Sequence, residues 1–216
     1  MVRVAGVDEA GRGPVIGPLV VCGVVFQKEV LEELLELGVK DSKALTPLKR
    51  ENLSKDILNL SKGHEYFIIE PRTIDIVVSR NKVYRKLNYL TSIAMARIID
   101  KLRPDTVYVD ACDIRPQRCA SDIKRVLSYQ PHLVCEHKAD SNYGVVSAAS
   151  ILAKVKRDQI VKELNDQYGF FNSGYASDRE TIKFLKSYLT LQREVPTFVR
   201  GSWNTVKRMM KELYLE

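Results

Sequence analysis

Short apolar stretches rich in β-branched residues alternate with helical patterns along most of this 216-residue chain. These stretches predict strands over residues 2–7, 15–26, 64–70, 106–110 and 132–136. The helical patterns cover residues 29–37, 84–102, 116–129 and 145–167. This alternation predicts an α/β fold with a mixed central sheet, which begins as a hairpin and continues through helical crossovers.

Helix-start signals mark two further elements. Thr46 precedes Pro47, which suits the first position of a helix, and Asp178 precedes another apolar helical pattern. After Gly169 the patterns are helical or irregular, and a last helix is predicted over residues 203–215. We therefore predict an α/β domain over residues 1–168 and a small helical lobe over residues 169–216 packed on it.

The chain is basic, with 34 Lys and Arg against 27 Asp and Glu and a formal net charge of +7. Positive charge attracts polyanions such as nucleic acids, although a merely basic surface explains the charge alone equally well. No apolar run approaches the roughly 20 residues of a membrane span, and no signal peptide is evident. We expect a cytoplasmic monomer without a membrane partner.

The four cysteines form no C-x-x-C pair. Cys119 and Cys135 lie near His132 and His137 in the sequence, but these spacings match no common zinc pattern. Reduced, mostly buried thiols are therefore expected.

Three acids lie at the ends of predicted strands: Asp8, Asp110 and Asp140. Open α/β sheets bind ligands at such ends, so we expect these side chains to meet at one edge of the sheet. Asp110 follows an apolar stretch and would be costly there without a countercharge. Carboxylate oxygens select hard cations, and the pattern predicts Mg²⁺ or Mn²⁺.

Glu9 directly follows Asp8, and consecutive residues of a regular strand point to opposite faces. We expect Glu9 to turn inward in the loop beyond the strand, where Ala10 and Gly11 relax the backbone. A simple polar strand exit is the alternative for this pair. The turn at Gly11-Arg12-Gly13 leads into a predicted strand and not a helix, which excludes a dinucleotide fingerprint; its backbone could instead approach a sugar or phosphate closely.

Several polar residues are candidates for contacts with a phosphate backbone. Four of them share one face of the predicted helix over residues 145–167, where a solvated polar face is the alternative interpretation. These four are Ser147, Ser150, Lys154 and Arg157. Lys43 and Lys138 are further candidates, and each is equally compatible with an ordinary surface lysine.

Taken in order, the motifs resemble those of the type 2 ribonuclease H family over nearly the whole chain. The matching segments are Asp8-Glu9-Ala10-Gly11-Arg12-Gly13, Asp41-Ser42-Lys43, Asp110, His137-Lys138-Ala139-Asp140, residues 147–154, Ser173-Gly174-Tyr175 and residues 199–203. The resemblance implies a ribonuclease-H-like sheet with a helical C-terminal extension. It also implies cleavage of RNA in hybrids and on the 5′ side of ribonucleotides in duplex DNA, leaving 3′-hydroxyl and 5′-phosphate ends.

The resemblance assigns roles to particular residues. Asp8, Glu9, Asp110 and Asp140 match the metal-binding acids of that family, which are expected to hold two divalent ions roughly 4 Å apart. We expect Asp8 to bridge the ions, with Glu9 and Asp110 on one and Asp140 on the other.

The resemblance also implies how the substrate is recognised. Gly11-Arg12-Gly13 matches the loop that reads the RNA–DNA junction, and Tyr175 matches the tyrosine that stacks on the sugar there. Ala176 departs from the proline of many relatives, which puts the rigidity of that loop in doubt. Two other functions remain open: a different nuclease or strand transferase acting on DNA, and a nucleic-acid-binding protein without catalysis.

Overall fold

The computed structural model describes residues 1–39, 45–80 and 86–214. Its strands are β1 (Arg3–Ala10), β2 (Leu19–Gln27), β3 (Gly63–Ile69), β4 (Thr106–Asp110) and β5 (His132–Glu136). Its helices are α1 (Leu31–Glu36), α2 (Pro47–Leu60), α3 (Pro71–Ser79), α4 (Lys86–Leu102), α5 (Pro116–Val126), α6 (Ala139–Asn142), α7 (Gly144–Tyr168), α8 (Arg179–Gln192) and α9 (Asn204–Leu213). A 3-10 turn, Lys28–Val30, precedes α1.

The strands form one sheet in the order β3-β2-β1-β4-β5. β1 is antiparallel to β2, whereas β1, β4 and β5 are parallel to one another. The chain passes through α4 between β3 and β4 and through α5 between β4 and β5. The predicted α/β fold with a mixed sheet, a hairpin start and helical crossovers is therefore confirmed.

Two glycines let helices pack directly on opposite faces of the sheet. A Cβ on Gly6 of β1 would lie 1.9 Å from the carbonyl oxygen of Val145, at the start of α7. A Cβ on Gly23 of β2 would lie 2.3 Å from Cγ2 of Ile98, in α4. Because Gly6 and Gly23 belong to opposite faces in the β1–β2 register, α7 covers one face and α4 the other.

Contacts divide the chain into two compact units. The first contains Met1–Ala10, Val20–Phe67 and Leu87–Val155, and the second contains Gly11–Leu19, Ile68–Lys86 and Lys156–Glu216. Each has its own buried apolar cluster: the first includes Val24, Phe26, Leu34, Ile57, Val146 and Leu152. The cluster of the second includes Ile16, Val161, Phe171, Leu185, Phe198 and Met209. The domain boundary predicted at residue 169 stays a prediction.

The prediction for the start of the second strand was wrong. β2 begins at Leu19 and not at residue 15. The backbone N–H groups of Val15 and Ile16 donate to the carbonyl of Gly174, and Ile16 forms an isolated bridge with Val199. These residues take partners near the other end of the chain, which a local pattern does not reveal.

Both capping predictions are confirmed. The Thr46 hydroxyl accepts from the N–H of Lys49 at 3.4 Å, and the Asp178 carboxylate accepts from the N–H of Glu180 at 3.0 Å. Helix α3 was not predicted, although Pro71 at its first turn was an available start signal. α5 ends at Val126, before the predicted residue 129.

Candidate active site

Asp8 and Asp110 occupy equivalent positions on neighbouring parallel strands. The register pairs Val7 of β1 with Val109 of β4, and each acid comes one residue later. Both share a strand face with residues that pack against α7, since Gly6 and Tyr108 lie two positions earlier. Parallel strands thus bring two carboxylates that are 102 positions apart in the chain to one edge of the sheet.

Asp8 is only 5% exposed. Burial raises the pKa of this carboxyl well above its usual value, and the charges of Glu9 and Asp110 raise it further. Hydrogen bonds from the Ser150 side chain and from the Glu9 backbone lower the pKa in part, and the N–H of Glu9 lies 2.7 Å from Oδ1 of Asp8. Concentrated negative charge at this edge therefore destabilises ionised Asp8.

Glu9 lies within the strand ladder, so the expectation that it turns inward in a loop was wrong. β1 continues to Ala10 because β2 pairs with it to the end, with Glu9 opposite Val21. The pairing of β1 with β4 stops earlier, at Val7. Glu9 is half-buried where β1 has lost its parallel neighbour, and its charge still acts on Asp8.

Asp110 and Asp140 are linked through α6. The N–H of Ala139 donates to Oδ1 of Asp110 at 2.8 Å, so the start of this short helix is tied to the end of β4. Asp140 follows at the next position and is 9% exposed. Before it, Lys138 adopts a left-handed conformation with φ of 57° and is exposed. The predicted position of Asp140, just beyond β5, is confirmed.

The carboxylates at this end of the sheet fit a hard divalent cation in chemical type and in charge. Carboxylate oxygens are hard ligands, and the mutual repulsion that raises the pKa of Asp8 is of the kind that a cation relieves. Within residues 1–39, 45–80 and 86–214, no group of three or more His, Cys, Asp and Glu side chains is arranged to hold a metal ion. The carboxylates instead accept hydrogen bonds from neighbouring backbone and hydroxyl groups.

Just beyond β4, the buried Asp113 carboxylate forms an ion pair with the half-buried Arg118. Its Oδ1 accepts from Nε of Arg118 at 2.9 Å and from the N–H of Arg115 at 2.9 Å, and its Oδ2 accepts from Asn88 at 3.1 Å. Burial alone would raise the pKa of Asp113, but these hydrogen bonds and the Arg118 charge lower it to about 2. Asp113 therefore braces the loop that follows Asp110.

The cysteines are free, and Cys22, Cys112 and Cys119 are buried. The prediction of mostly buried, reduced thiols is thus confirmed. Sγ of Cys112 lies 3.6 Å from Sγ of Cys119, and the Ser92 hydroxyl contacts both sulfurs. These thiols pack between α4, α5 and the end of β4.

In the second unit, the Gly11-Arg12-Gly13 segment lies beside Tyr175. A Cβ on Gly13 would be 3.7 Å from Cε1 of the Tyr175 ring, which is 37% exposed. The Arg157 guanidinium lies 5.2 Å from the centre of that ring and donates to the carbonyl of Ser173 at 2.6 Å. A loop backbone, an exposed ring and a buried cation, all singled out from the sequence, are thus assembled together.

The remaining predicted substrate contacts differ in their surroundings. Ser147 is fully buried, and its hydroxyl donates to the carbonyl of Val39 at 2.5 Å. Ser150 and Lys154 are half-buried on α7. Lys43, like its motif neighbours Asp41 and Ser42, lies outside the described residues. The roles of these residues in binding stay predictions.

Arg200 lies in the matching segment 199–203, but no individual role was assigned to it from the sequence, although its guanidinium reaches the glycine segment. It is fully buried and donates to the carbonyls of Gly11, Arg12 and Gly17. The available signal was a cation placed between apolar Val199 and Gly201.

Solved structures with the same architecture define the class of protein. The crystal structure of ribonuclease H2 from Pyrococcus horikoshii matches with a TM-score of 0.91 and 39% identity, over 99% of this chain and all of that one. Ribonuclease HII in its complex with PCNA from Archaeoglobus fulgidus matches with a TM-score of 0.85 and 38% identity, over 94% and 96% of the chains. The molecule is a hydrolase with the ribonuclease H fold.

Sequence relatives define the family within this class. The ribonuclease HII family model matches residues 5–206. Ribonuclease HII of Pyrococcus furiosus is 43% identical over 211 residues, which cover 98% of this chain and 92% of that protein. The chain belongs to the ribonuclease HII family, and membership implies cleavage of the RNA strand of RNA/DNA hybrids. Among the residues that the structure describes, we find no helix that could span a membrane.

Proposed function

We propose that this enzyme also cuts on the 5′ side of ribonucleotides embedded in duplex DNA, leaving 3′-hydroxyl and 5′-phosphate ends. In this proposal Asp8, Glu9, Asp110 and Asp140 hold two divalent ions, Mg²⁺ or Mn²⁺. The enzyme acts on nucleic acid in the cytoplasm as a monomer.

The observation that carries the metal part is the juxtaposition of Asp8 and Asp110 one residue beyond the last β1–β4 pair. Folding places these carboxylates together although burial and mutual repulsion disfavour their charged forms. Natural proteins retain such an unfavourable arrangement mainly where function requires it. These carboxylates would hold a divalent cation, whose positive charge would offset their repulsion.

The side chains of the site position one another. The Ser150 side chain and the Glu9 backbone orient Asp8, and the Ala139 N–H orients Asp110. When bound, the ions would activate a water molecule and stabilise the leaving 3′-oxygen. The chain contributes carboxylate oxygens as metal ligands, and their hydrogen bonds leave these side chains little freedom to rearrange.

Ribose selection is assigned to the loop and the tyrosine of the second unit. Tyr175 exposes part of its ring beside Gly13, and glycine leaves the loop backbone open to a sugar. The 2′-hydroxyl distinguishes RNA from DNA, and both its oxygen and its hydrogen can bond to a backbone. These features support Gly11-Arg12-Gly13 as the ribose-reading segment.

The metal part is tested with Asp8→Asn on a DNA duplex that contains one ribonucleotide. Wild-type protein should cleave it only with Mg²⁺ or Mn²⁺ and give a 3′-hydroxyl end, detected by polymerase extension. Asp8→Asn should lower kcat/KM by more than about a hundredfold, since losing even a group that only orients a metal ligand costs roughly 10–100-fold. Asp56→Asn, an exposed acid on α2, is the control. Unchanged turnover of Asp8→Asn would refute the assignment.

The selectivity part is tested with Tyr175→Ala. This variant should bind Mn²⁺ with wild-type affinity in calorimetry but lose roughly tenfold in its preference for a single ribonucleotide over a uniform hybrid, because a sugar-stacking ring is gone. Tyr175→Phe keeps the ring and should keep most of the preference. A wild-type preference in Tyr175→Ala would count against the role.

A further inference from the structure

Arg200 is bonded to the ribose-reading segment by several donors at once. Its Nε donates to the carbonyl of Gly17 at 3.0 Å, and its two terminal nitrogens donate to the carbonyls of Arg12 at 2.8 Å and Gly11 at 2.6 Å. Three acceptors of one eight-residue connection between β1 and β2 therefore converge on a single guanidinium. The planar fork of Arg fits this task, whereas the compact ammonium of Lys cannot span three carbonyls in the same way.

The surroundings hold Arg200 itself in place. Its own N–H donates to the carbonyl of Val15 at 2.8 Å. The next two residues are fixed by Asp75, whose carboxylate accepts from the N–H of Gly201 at 2.7 Å and from the N–H of Ser202 at 2.9 Å. The guanidinium also lies 5.0 Å from the centre of the Trp203 ring. This support makes Arg200 a rigid reference point for the loop.

The cation is retained despite an unfavourable environment. Burial and, to a smaller extent, the nearby charge of Arg157 lower the pKa of Arg200 to about 10, against the opposing effects of Tyr175 and Asp75. At neutral pH the group remains charged. Most of its hydrogen-bond acceptors are backbone carbonyls of this loop. The bonds that stabilise the buried charge therefore also orient the loop.

The direction of these bonds fixes where the loop N–H groups point. In a trans peptide unit the C=O and the following N–H point in opposite directions. Because the carbonyls of Gly11 and Arg12 face Arg200, the N–H groups of Arg12 and Gly13 face away from it. The indole N–H of Trp203 donates to the carbonyl of Gly13 at 3.1 Å and fixes the next peptide, whose nitrogen belongs to Pro14 and carries no hydrogen.

We propose that Arg200 is a positioning residue for ribose selection. It aligns the peptides of Gly11 to Gly13 so that the N–H groups of Arg12 and Gly13 are presented together to the sugar and phosphate of the ribonucleotide. This inference rests on the proposed function, since it assumes that the segment reads the ribose. Trp203 supports the same alignment through its single hydrogen bond to the carbonyl of Gly13.

The test compares Arg200→Lys with Arg208→Lys, an exposed arginine on α9 that serves as the matched control. kcat and KM are measured on a duplex with one ribonucleotide and on a uniform hybrid of the same sequence. For Arg200→Lys, kcat/KM on the single ribonucleotide should fall more than about tenfold and on the hybrid less than about threefold, because a lost hydrogen-bonding geometry penalises the substrate with one 2′-hydroxyl most. Arg208→Lys should match wild type on both.

Circular dichroism, the unfolding temperature and Mn²⁺ affinity are measured in parallel. If a folded Arg200→Lys protein loses activity equally on the single-ribonucleotide duplex and on the uniform hybrid, the substitution has damaged the site in general and not ribose selection. This result would overturn the inference. An unchanged ratio would overturn it as well.

A second variant decides the matter if Arg200→Lys does not fold. Trp203→Phe keeps an aromatic ring beside the cation and removes only the N–H bonded to Gly13, so the selectivity ratio should fall about threefold. A wild-type ratio in this variant overturns the inference while leaving the proposed function intact. Failure of the wild-type enzyme to cut at a single ribonucleotide would instead overturn the proposed function and this inference with it.

Discussion

Asp8 is nearly fully buried beside two other carboxylates, and both conditions favour its neutral form. If the proposed cation binds here, the site is unfavourable before that binding and is expected to reduce the stability of the metal-free protein. Activity and stability should therefore respond in opposite directions when this side chain is changed.

In metal-free protein, Asp8→Asn should raise the free energy of unfolding at neutral pH. The pKa of Asp8 is higher in the folded chain than in the unfolded one, so the folded state binds more protons between the two values. Wild-type stability consequently falls as pH rises through this window, and an uncharged Asn removes that loss. Urea unfolding with EDTA at pH 5 and pH 8 measures the difference, which should be larger at pH 8. A less stable variant at pH 8 would contradict the prediction.

The contribution of Asp113 to stability should depend on pH in the opposite direction. Its pKa of about 2 lies below the value of roughly 3.9 in an unfolded chain, so its contribution is complete above pH 4 and is lost as pH falls toward 2. Asp113→Asn is expected to lower the free energy of unfolding at pH 7 by about 2 kcal/mol, because Arg118 loses its charged partner. Denaturant titration would show this, and Asp56→Asn should change little. A cost that persists at pH 2 would argue against the charge effect.

At the scale of elements, the tight contact between β1 and α7 fixes the position of these two elements near Asp8. Gly6 lies two residues before Asp8, and its missing side chain admits the Val145 carbonyl. Because backbone and not a flexible side chain would be displaced, an added methyl group must move α7, which carries Ser150, relative to β1.

Gly6→Ala should therefore reduce both stability and activity. Overpacking of this kind costs roughly 1–3 kcal/mol or more, which thermal unfolding can detect. Gly63→Ala is the matched control, since a Cβ there would meet its nearest neighbours at 3.7 and 3.8 Å, ordinary contact distances. Equal stability of the two variants would show that α7 can shift at little cost.

Elements with strong local patterns could be predicted from the sequence, and β4 and β5 have the predicted bounds. The start of β2 and the position of Glu9 could not, because each depends on which distant segment supplies the hydrogen bonds. The same limit applies to the site. Acids at strand ends follow from spacing, whereas Arg200 has acceptors 183 to 189 positions away.

For the whole molecule, the net charge of +7 predicts how binding responds to salt. Each neutralised phosphate should contribute a slope of about −0.9 to the plot of log affinity against log salt for a DNA duplex. Fluorescence anisotropy of Asp8→Asn with a labelled hybrid, between 50 and 200 mM salt, measures it without cleavage. Affinity that does not change with salt would show that the basic surface lies away from the nucleic acid.

The bonds from Arg200 to Gly11, Arg12 and Gly17 also set an order of events during synthesis. The ribosome makes this glycine segment first and its guanidinium partner 183 to 189 positions later. A nascent chain can form the β1–β2 hairpin, but the intervening peptides lack their cation until residue 200 has emerged. The peptides of this segment would thus reach their final alignment only after Arg200 has joined the fold, and the proposed discrimination between the two sugars would follow that step.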